Sequence, residues 1–240
     1  SADDYAYYAA LFTGSEAEEV DETTNESDLK LTDFVDRCFS VSITPNENGN
    51  FWPRKWTISY AADGCTDPHG NVRKGAILFE LTNYWKIDSS LRTVQYNDYY
   101  FNDDKFLGTL SIENTGMNED SLYTFRRKFE NGVISKGDSA QMNWDCEKYV
   151  VMSNGYATWE FADDEYDVTG GATGVDFEGL AFTMQIAQQL HYRTGCFFPV
   201  SGVLTIETEG KSTATIDFGN GDCDNLATLT VDGESTEIEL

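Results

Sequence analysis

The residues of this chain best placed to do chemistry with one another are its cysteines, five in 240 residues. Cys38 and Cys65 stand 27 residues apart, and so do Cys196 and Cys223. Each pair frames one pattern: a Cys-Phe opens it (Cys38-Phe39, Cys196-Phe197), Thr-Ile-x-aromatic follows (Thr57, Ile58, Tyr60; Thr215, Ile216, Phe218), and the second cysteine closes it. Glu209-Gly210-Lys211 lies midway in the second unit. A hairpin folded there sets Cys196 against Cys223 at the narrow Cα separation a disulfide needs. The turn-rich cluster from Pro45 to Asn50 does the same for Cys38 and Cys65, in a register fixed less tightly because the turn is longer. The spacing predicts bridges Cys38–Cys65 and Cys196–Cys223, with Cys146 left over and an oxidising compartment outside the cytoplasm. The alternative is five buried thiols, since unbridged cysteine is among the most buried residue types.

A second cluster gathers hard oxygen atoms. Asp217, Asn220, Asp222 and Asp224 fall within one loop, as a Ca²⁺ site requires. The spacing departs from the EF-hand loop, and Gly-Asn-Gly-Asp is also ordinary turn chemistry, in which Asn and Asp bond their own backbone. No cofactor is otherwise expected. Zinc is disfavoured, because only His69 and His191 are available and neither Cys-x-x-Cys nor His-Glu-x-x-His occurs. Gly-x-Ser-x-Gly is absent, so no catalytic nucleophile is assigned, and the expectation is a protein that is not an enzyme. Gly170-Gly171-Ala172-Thr173-Gly174 has no surrounding βαβ pattern and reads as a flexible turn. Trp52, Trp56, Trp85, Trp144 and Trp159, with Tyr96, Tyr99 and Tyr100, offer flat apolar faces of the kind that bind sugar rings. Their spacing along strands assigns most of them to the core instead, with Trp52 and Trp85, near loop ends, as the better surface candidates.

The elements that must position these residues are strands. Phe39, Val41 and Ile43 alternate with Ser and Thr, as do Trp56, Ile58 and Tyr60, which marks half-buried antiparallel strands. Further candidates are 91–102, 105–113, 122–130, 133–139, 148–153, 156–161 and 180–190. Asn131-Gly132, Asn154-Gly155 and Asp232-Gly233 are type I′ hairpin dipeptides, so neighbours in sequence become neighbours in the sheet. In 180–190, Leu180, Phe182, Met184 and Ile186 alternate, although Phe182, Ile186 and Leu190 also fit a helix; the segment is read as a strand. Tyr5, Tyr8 and Phe12 share one helical face, so a short helix is expected over 4–12, followed by an acidic linker over 15–27. The expected organisation is residues 1–35 as helix and linker, then one all-β domain over 36–240. That domain is an antiparallel β-sandwich or an elongated β-meander, with quasi-repeated bridged hairpin units at about 38–82 and 196–240.

Composition bounds the partners. A formal charge of −26 repels nucleic acid and anionic membrane surfaces. No apolar run reaches the length of about 18 residues that spans a bilayer as a helix. Glycan or a surface protein remains open as a partner.

One resemblance adds to this. Thr57-Ile58-Ser59-Tyr60 to Gly64-Cys65 with Gly70-Asn71-Val72-Arg73-Lys74-Gly75, Tyr99-Tyr100-Phe101-Asn102 with Gly108-Thr109, and Asp217-Phe218-Gly219 with Asp222-Cys223-Asp224-Asn225 together resemble a group of exported lipoproteins of Bacteroides-type gut bacteria with no assigned activity. The likeness covers about residues 38–240. It departs at Ser59-Tyr60-Ala61, where an Asp-Phe-Gly-like triplet is expected. The resemblance implies export, a lipid anchor on a cysteine upstream of Ser1, and a place at the outer membrane or cell surface of a Gram-negative bacterium. The function expected on these grounds is a non-enzymatic binding or structural module of the cell envelope; the alternative is a hydrolase acting on extracellular glycan.

Overall fold

The computed structural model describes residues 38–44, 49–66, 70–137, 140–158 and 160–240. The helix and linker expected before Cys38, and with them His69 and Trp159, lie outside the described residues.

The described chain is all-β, with no α-helix among the described residues. Its strands are β1 (Phe39–Thr44), β2 (Arg54–Tyr60), β3 (Cys65–Thr66), β4 (Val72–Leu81), β5 (Leu91–Phe101), β6 (Asp104–Met117) and β7 (Tyr123–Lys136). There follow β8 (Ala140–Asn154), β9 (Glu165–Val175), β10 (Ala181–Arg193), β11 (Ser201–Thr208), β12 (Ala214–Asn220), β13 (Leu226–Val231) and β14 (Glu234–Glu239). They form a single 14-stranded antiparallel sheet in which each strand pairs with its neighbour in sequence, the two-residue β3 alone lying off the path beside β4. Of the two expected architectures this is the meander and not the sandwich.

Register makes the sheet two-faced from edge to edge. One line of paired residues runs Ile43, Trp56, Phe79, Val94, Leu110, Phe129, and on through Cys146, Ala172, Met184, Ile206, Ala214 and Val231. Every member is apolar. The line one residue away, on the opposite face, runs Lys55, Glu80, Thr93, Ser111, Lys128, Glu147, and on through Gly171, Gln185, Thr205, Thr215, Thr230 and Ser235; apart from the glycine every side chain is polar. The period-two alternation in sequence thus becomes an inner apolar face and an outer polar one, because side chains alternate across a strand.

A single flat layer leaves its apolar face in water. Yet Met142, Leu190, Leu204, Ile206, Ala214 and Ile216 expose no surface at all, and they belong to one cluster that extends from β8 to Ile238 in β14. From β8 onward the inner face is therefore the buried core of the chain. Phe182, Met184 and Ile186 are buried while Thr183 and Gln185 are exposed, so alternation and not helical period decides 180–190.

Both predicted bridges form, with Cα separations of 5.1 Å for Cys38–Cys65 and 5.4 Å for Cys196–Cys223. Cys146 is the free cysteine. In β11–β12 Leu204 pairs with Ile216, so the cysteines flank the open end of the hairpin as its symmetry requires. In β1–β2 the register places Phe39 opposite Tyr60. A tight turn, with Ala61 N–H bonded to Cys38 O and Gly64 N–H to Ala61 O, then returns Cys65 to its partner. Because strand direction alternates, the two bridges lie at opposite ends of the strands: the first where β4 begins, the second where β10 and β12 finish.

Three local expectations give way. Residues 170–174 are not a flexible turn but the middle of β9. A Cβ at Gly174 would meet Asn143 O and the Phe182 ring, and one at Gly170 would meet Glu147 O, so these glycines mark close approach and not a loop. Asn131-Gly132 does not turn a hairpin; it forms a bulge in a continuous β7, with Asn131 at φ 55° and its N–H donated to Asp145 Oδ1 at 2.7 Å. Of the expected strand over 156–161, residues 156–158 form turn and bend and Phe161 starts a 3₁₀ segment, so Asn154-Gly155 does not turn a two-residue hairpin. Asp232-Gly233 does make the two-residue turn, with φ of 53° and 80°.

Candidate functional site

The aromatic residues are mostly spent on each other. On the inner face Phe39, Tyr60, Tyr99, Tyr96, Phe129 and Trp144 follow one another with ring centroids 5.1–6.4 Å apart. Trp56 stacks on Phe79 at 5.1 Å. Trp85 does not stand free at its loop: it packs on Tyr123 and Phe125 at 5.8 and 5.9 Å, with its carbonyl oxygen held by the Asn114 amide at 2.7 Å. Trp52 is half-buried against Phe51. Burial pushes the Tyr99 hydroxyl well above the ordinary tyrosine range, with the Tyr60 hydroxyl adding to the effect. These rings build the sheet.

The outer face presents a different feature. A trough of about 480 Å³ crosses β7–β10. Its floor is Gly171, the one position in the polar line without a side chain. Lys128, Glu147, Asp145, Thr173, Thr183 and Gln185 supply the rim. Gln185 lies across the gap and donates its amide to Gly170 O at 2.9 Å; Lys128 Nζ and Glu147 Oε1 stand 3.7 Å apart. Two residues along β8 from Glu147, and so on the same face, Tyr149 is 51% exposed, its hydroxyl donated to Glu147 Oε1 at 3.2 Å. The trough thus combines hydroxyls, the amides of Asn131 and Gln185, one cation and the carboxylates of Glu130, Asp145 and Glu147 beside an exposed aromatic ring. It offers donors and acceptors in many directions. Asp145 accepts a hydrogen bond from Asn131 N–H and Glu147 one from the Tyr149 hydroxyl.

The loop from Asp217 to Asp224 is turn chemistry. Asp217 Oδ1 accepts Gly219 N–H at 2.9 Å and Asp224 Oδ1 accepts Leu226 N–H at 3.1 Å, while the Arg193 guanidinium donates to Gly221 O. Among the described residues no group of three or more His, Cys, Asp or Glu could hold a metal ion, and Asp217, Asp222 and Asp224 are among those searched.

Two constellations escaped sequence reasoning. His191 Nδ1 is 2.7 Å from Asp167 Oδ1, and Nε2 is 3.5 Å from Glu165 Oε2. Ser201 is the cross-strand neighbour of His191, but Nε2 faces the Glu165 carboxylate, so the three do not form a nucleophile and base. The signal was the i, i+2 acid pair of β9, which only register brings opposite His191. In the β8–β9 loop, Asp164 is buried at 7% exposure, and that burial raises its carboxyl above the ordinary range despite a hydrogen bond from the Tyr166 hydroxyl at 3.2 Å.

The two disulfides place the described chain in an oxidising, extracytoplasmic environment, and no helix among the described residues is long and apolar enough to cross a membrane. No protein-family model, no curated protein and no solved structure matches the chain.

Proposed function

We propose that the protein is an exported, non-enzymatic binding module of the cell envelope that takes a neutral carbohydrate in the trough of its outer face. One observation carries the reading: the only glycine of the polar line opens a trough rimmed by amide, hydroxyl and charged groups, with Tyr149 standing exposed beside it. An aromatic face takes the apolar side of a sugar ring, and the surrounding donors and acceptors take its hydroxyls. The charge of −26 disfavours polyanionic ligands. Attachment through a lipid upstream of Ser1, at the outer membrane or cell surface, rests on the resemblance drawn from the sequence together with the oxidised cysteines.

A glycan array probed with the intact chain, followed by calorimetry on any hit, tests the reading. Tyr149→Ala and Gln185→Ala are expected to weaken binding about tenfold each, the equivalent of about 1.4 kcal/mol. Binding unchanged in both variants, or no glycan bound at millimolar concentration, overturns it. Asp145 and Glu147 alternate on one strand face, which keeps glycan hydrolysis as the second reading. Turnover of a bound glycan that is lost in Glu147→Gln would replace binding by hydrolysis.

A further inference from the structure

The connections between strands differ in kind at the two ends of the sheet. Because neighbouring strands are antiparallel, β1–β2, β4–β5, β6–β7, β8–β9, β10–β11 and β12–β13 turn at one end, and the intervening connections turn at the other. At the first end each connection, or the strand residue that borders it, carries one exposed large hydrophobic: Phe51, Ile87, Met117, Tyr156, Phe197 and Leu226, with Phe197 77% exposed. Among the described residues the connections at the opposite end carry none. Single exposed hydrophobics are ordinary on a protein surface, but confinement to one end of the strands is not. Five of these connections are also tied to one another. Ser89 N–H donates to Asn114 O at 2.9 Å, Lys86 Nζ to Tyr156 O at 3.2 Å, Thr194 N–H to Asp164 O at 3.0 Å, and Gly221 N–H to Val200 O at 2.7 Å. The Cys196–Cys223 bridge fastens the last two connections together. Ile87, Met117, Tyr156, Phe197 and Leu226 therefore stand on one braced layer of loops.

We infer that this layer of loops is a docking surface for a zwitterionic lipid bilayer. Its apolar side chains stand singly on separate connections, which also carry the exposed carboxylates of Asp88, Asp120, Glu160, Asp222 and Asp224. A protein partner needs a contiguous, desolvated apolar centre, and this arrangement does not supply one. A fluid bilayer makes no such demand. Each side chain enters the interfacial zone on its own, while the carboxylates stay at the level of the ammonium groups that zwitterionic headgroups turn outward. The same carboxylates, in a chain of charge −26, repel an anionic lipid surface. The trough lies on the polar face of β7–β10 and shares none of these side chains, so docking stands or falls independently of glycan binding.

Co-sedimentation of the intact chain with phosphatidylcholine vesicles tests this directly. The bound fraction is expected to rise with millimolar lipid and to fall as phosphatidylglycerol replaces part of the phosphatidylcholine. Phe197→Ser combined with Leu226→Ser is expected to lower the partition coefficient about tenfold or more, and Ile87→Ser combined with Met117→Ser to do the same from the other side of the layer. Leu107→Ser removes an exposed hydrophobic within β6, away from this end, and should leave partition unchanged. Circular dichroism checks that each variant keeps the wild-type fold. No binding at millimolar phosphatidylcholine, or equal partition of the wild type and both double variants, overturns the inference. Binding that strengthens with phosphatidylglycerol overturns it as well. Self-association of the chain without lipid, abolished in the double variants, overturns it in favour of a second copy.

Discussion

The two halves of this sheet are built from the same alternation and end in different states. From β8 to β14 the inner face is buried in one cluster, and Ile206, Leu204 and Ile216 lose all contact with water. From β1 to β7 the inner side chains are mostly half-buried, and at the free edge Val41 and Ile43 are 51% and 52% exposed. The carboxy-terminal half fills its interior with aliphatic residues. The amino-terminal half lines its inner face with aromatic rings in stacked, tilted and edge-to-face pairs, with Arg54, Arg92 and Arg127 on the same face. Binary patterning therefore chose the strands, while the depth of burial differs along the meander. The two edges differ as well. Glu234, Glu237 and Glu239 guard β14, whereas β1 carries no charge at all.

Ile206→Ala should give the largest effect, a loss of about 2–5 kcal/mol in denaturant unfolding, because the cavity cannot be filled by solvent or by a neighbour. Ile43→Ala, in the same apolar line but at the open edge, should change stability by less than about 0.5 kcal/mol. Comparable losses at both sites would mean that the halves are equally closed.

The bridges sharpen the comparison, because both close loops of 27 residues. Chain entropy gives each about 3.5 kcal/mol on the simplest model. Removal of the Cys196–Cys223 bridge by paired Cys→Ser substitution should lower the main melting transition, since β11 and β12 lie in the closed core. Loss of Cys38–Cys65 should instead fray β1 and β2 and leave the main transition nearly in place. Circular dichroism melts, with hydrogen exchange to locate the change, distinguish the two outcomes.

A smaller effect is linked to pH. Asp164 has its carboxyl raised by burial, so the folded chain holds that proton more tightly than the unfolded chain. Its contribution is most favourable below the ordinary carboxylate pKa and is lost as pH rises through the raised value. Asp164→Asn should remove that segment of the stability-against-pH curve. An unchanged curve would show that the carboxyl is not desolvated.

Pairing of the cysteines was legible in the sequence, since a hairpin is symmetric about its turn and Glu209-Gly210-Lys211 marks the centre of one. The strand at 181–193 was legible from Phe182, Met184 and Ile186. Local signals failed where a residue answers to a partner strand. Gly170, Gly171 and Gly174 read as a loop because their purpose, the close approach of Glu147, Met184 and Asn143, belongs to β8 and β10. Asn131-Gly132 read as a hairpin because a left-handed Asn serves a bulge as well as a turn. The trough has no local signature. Gly171, Gln185, Glu147 and Lys128 are scattered in sequence, and only register across four strands aligns them.

Hydrogen exchange of the intact chain, read strand by strand, tests the two-half account most directly. The account predicts protection that rises along the meander, fastest exchange in β1 and β2 and slowest in β10–β12, where Leu204, Ile206, Ala214 and Ile216 are sealed. Uniform protection from β1 to β14, lost in one cooperative step, would contradict it.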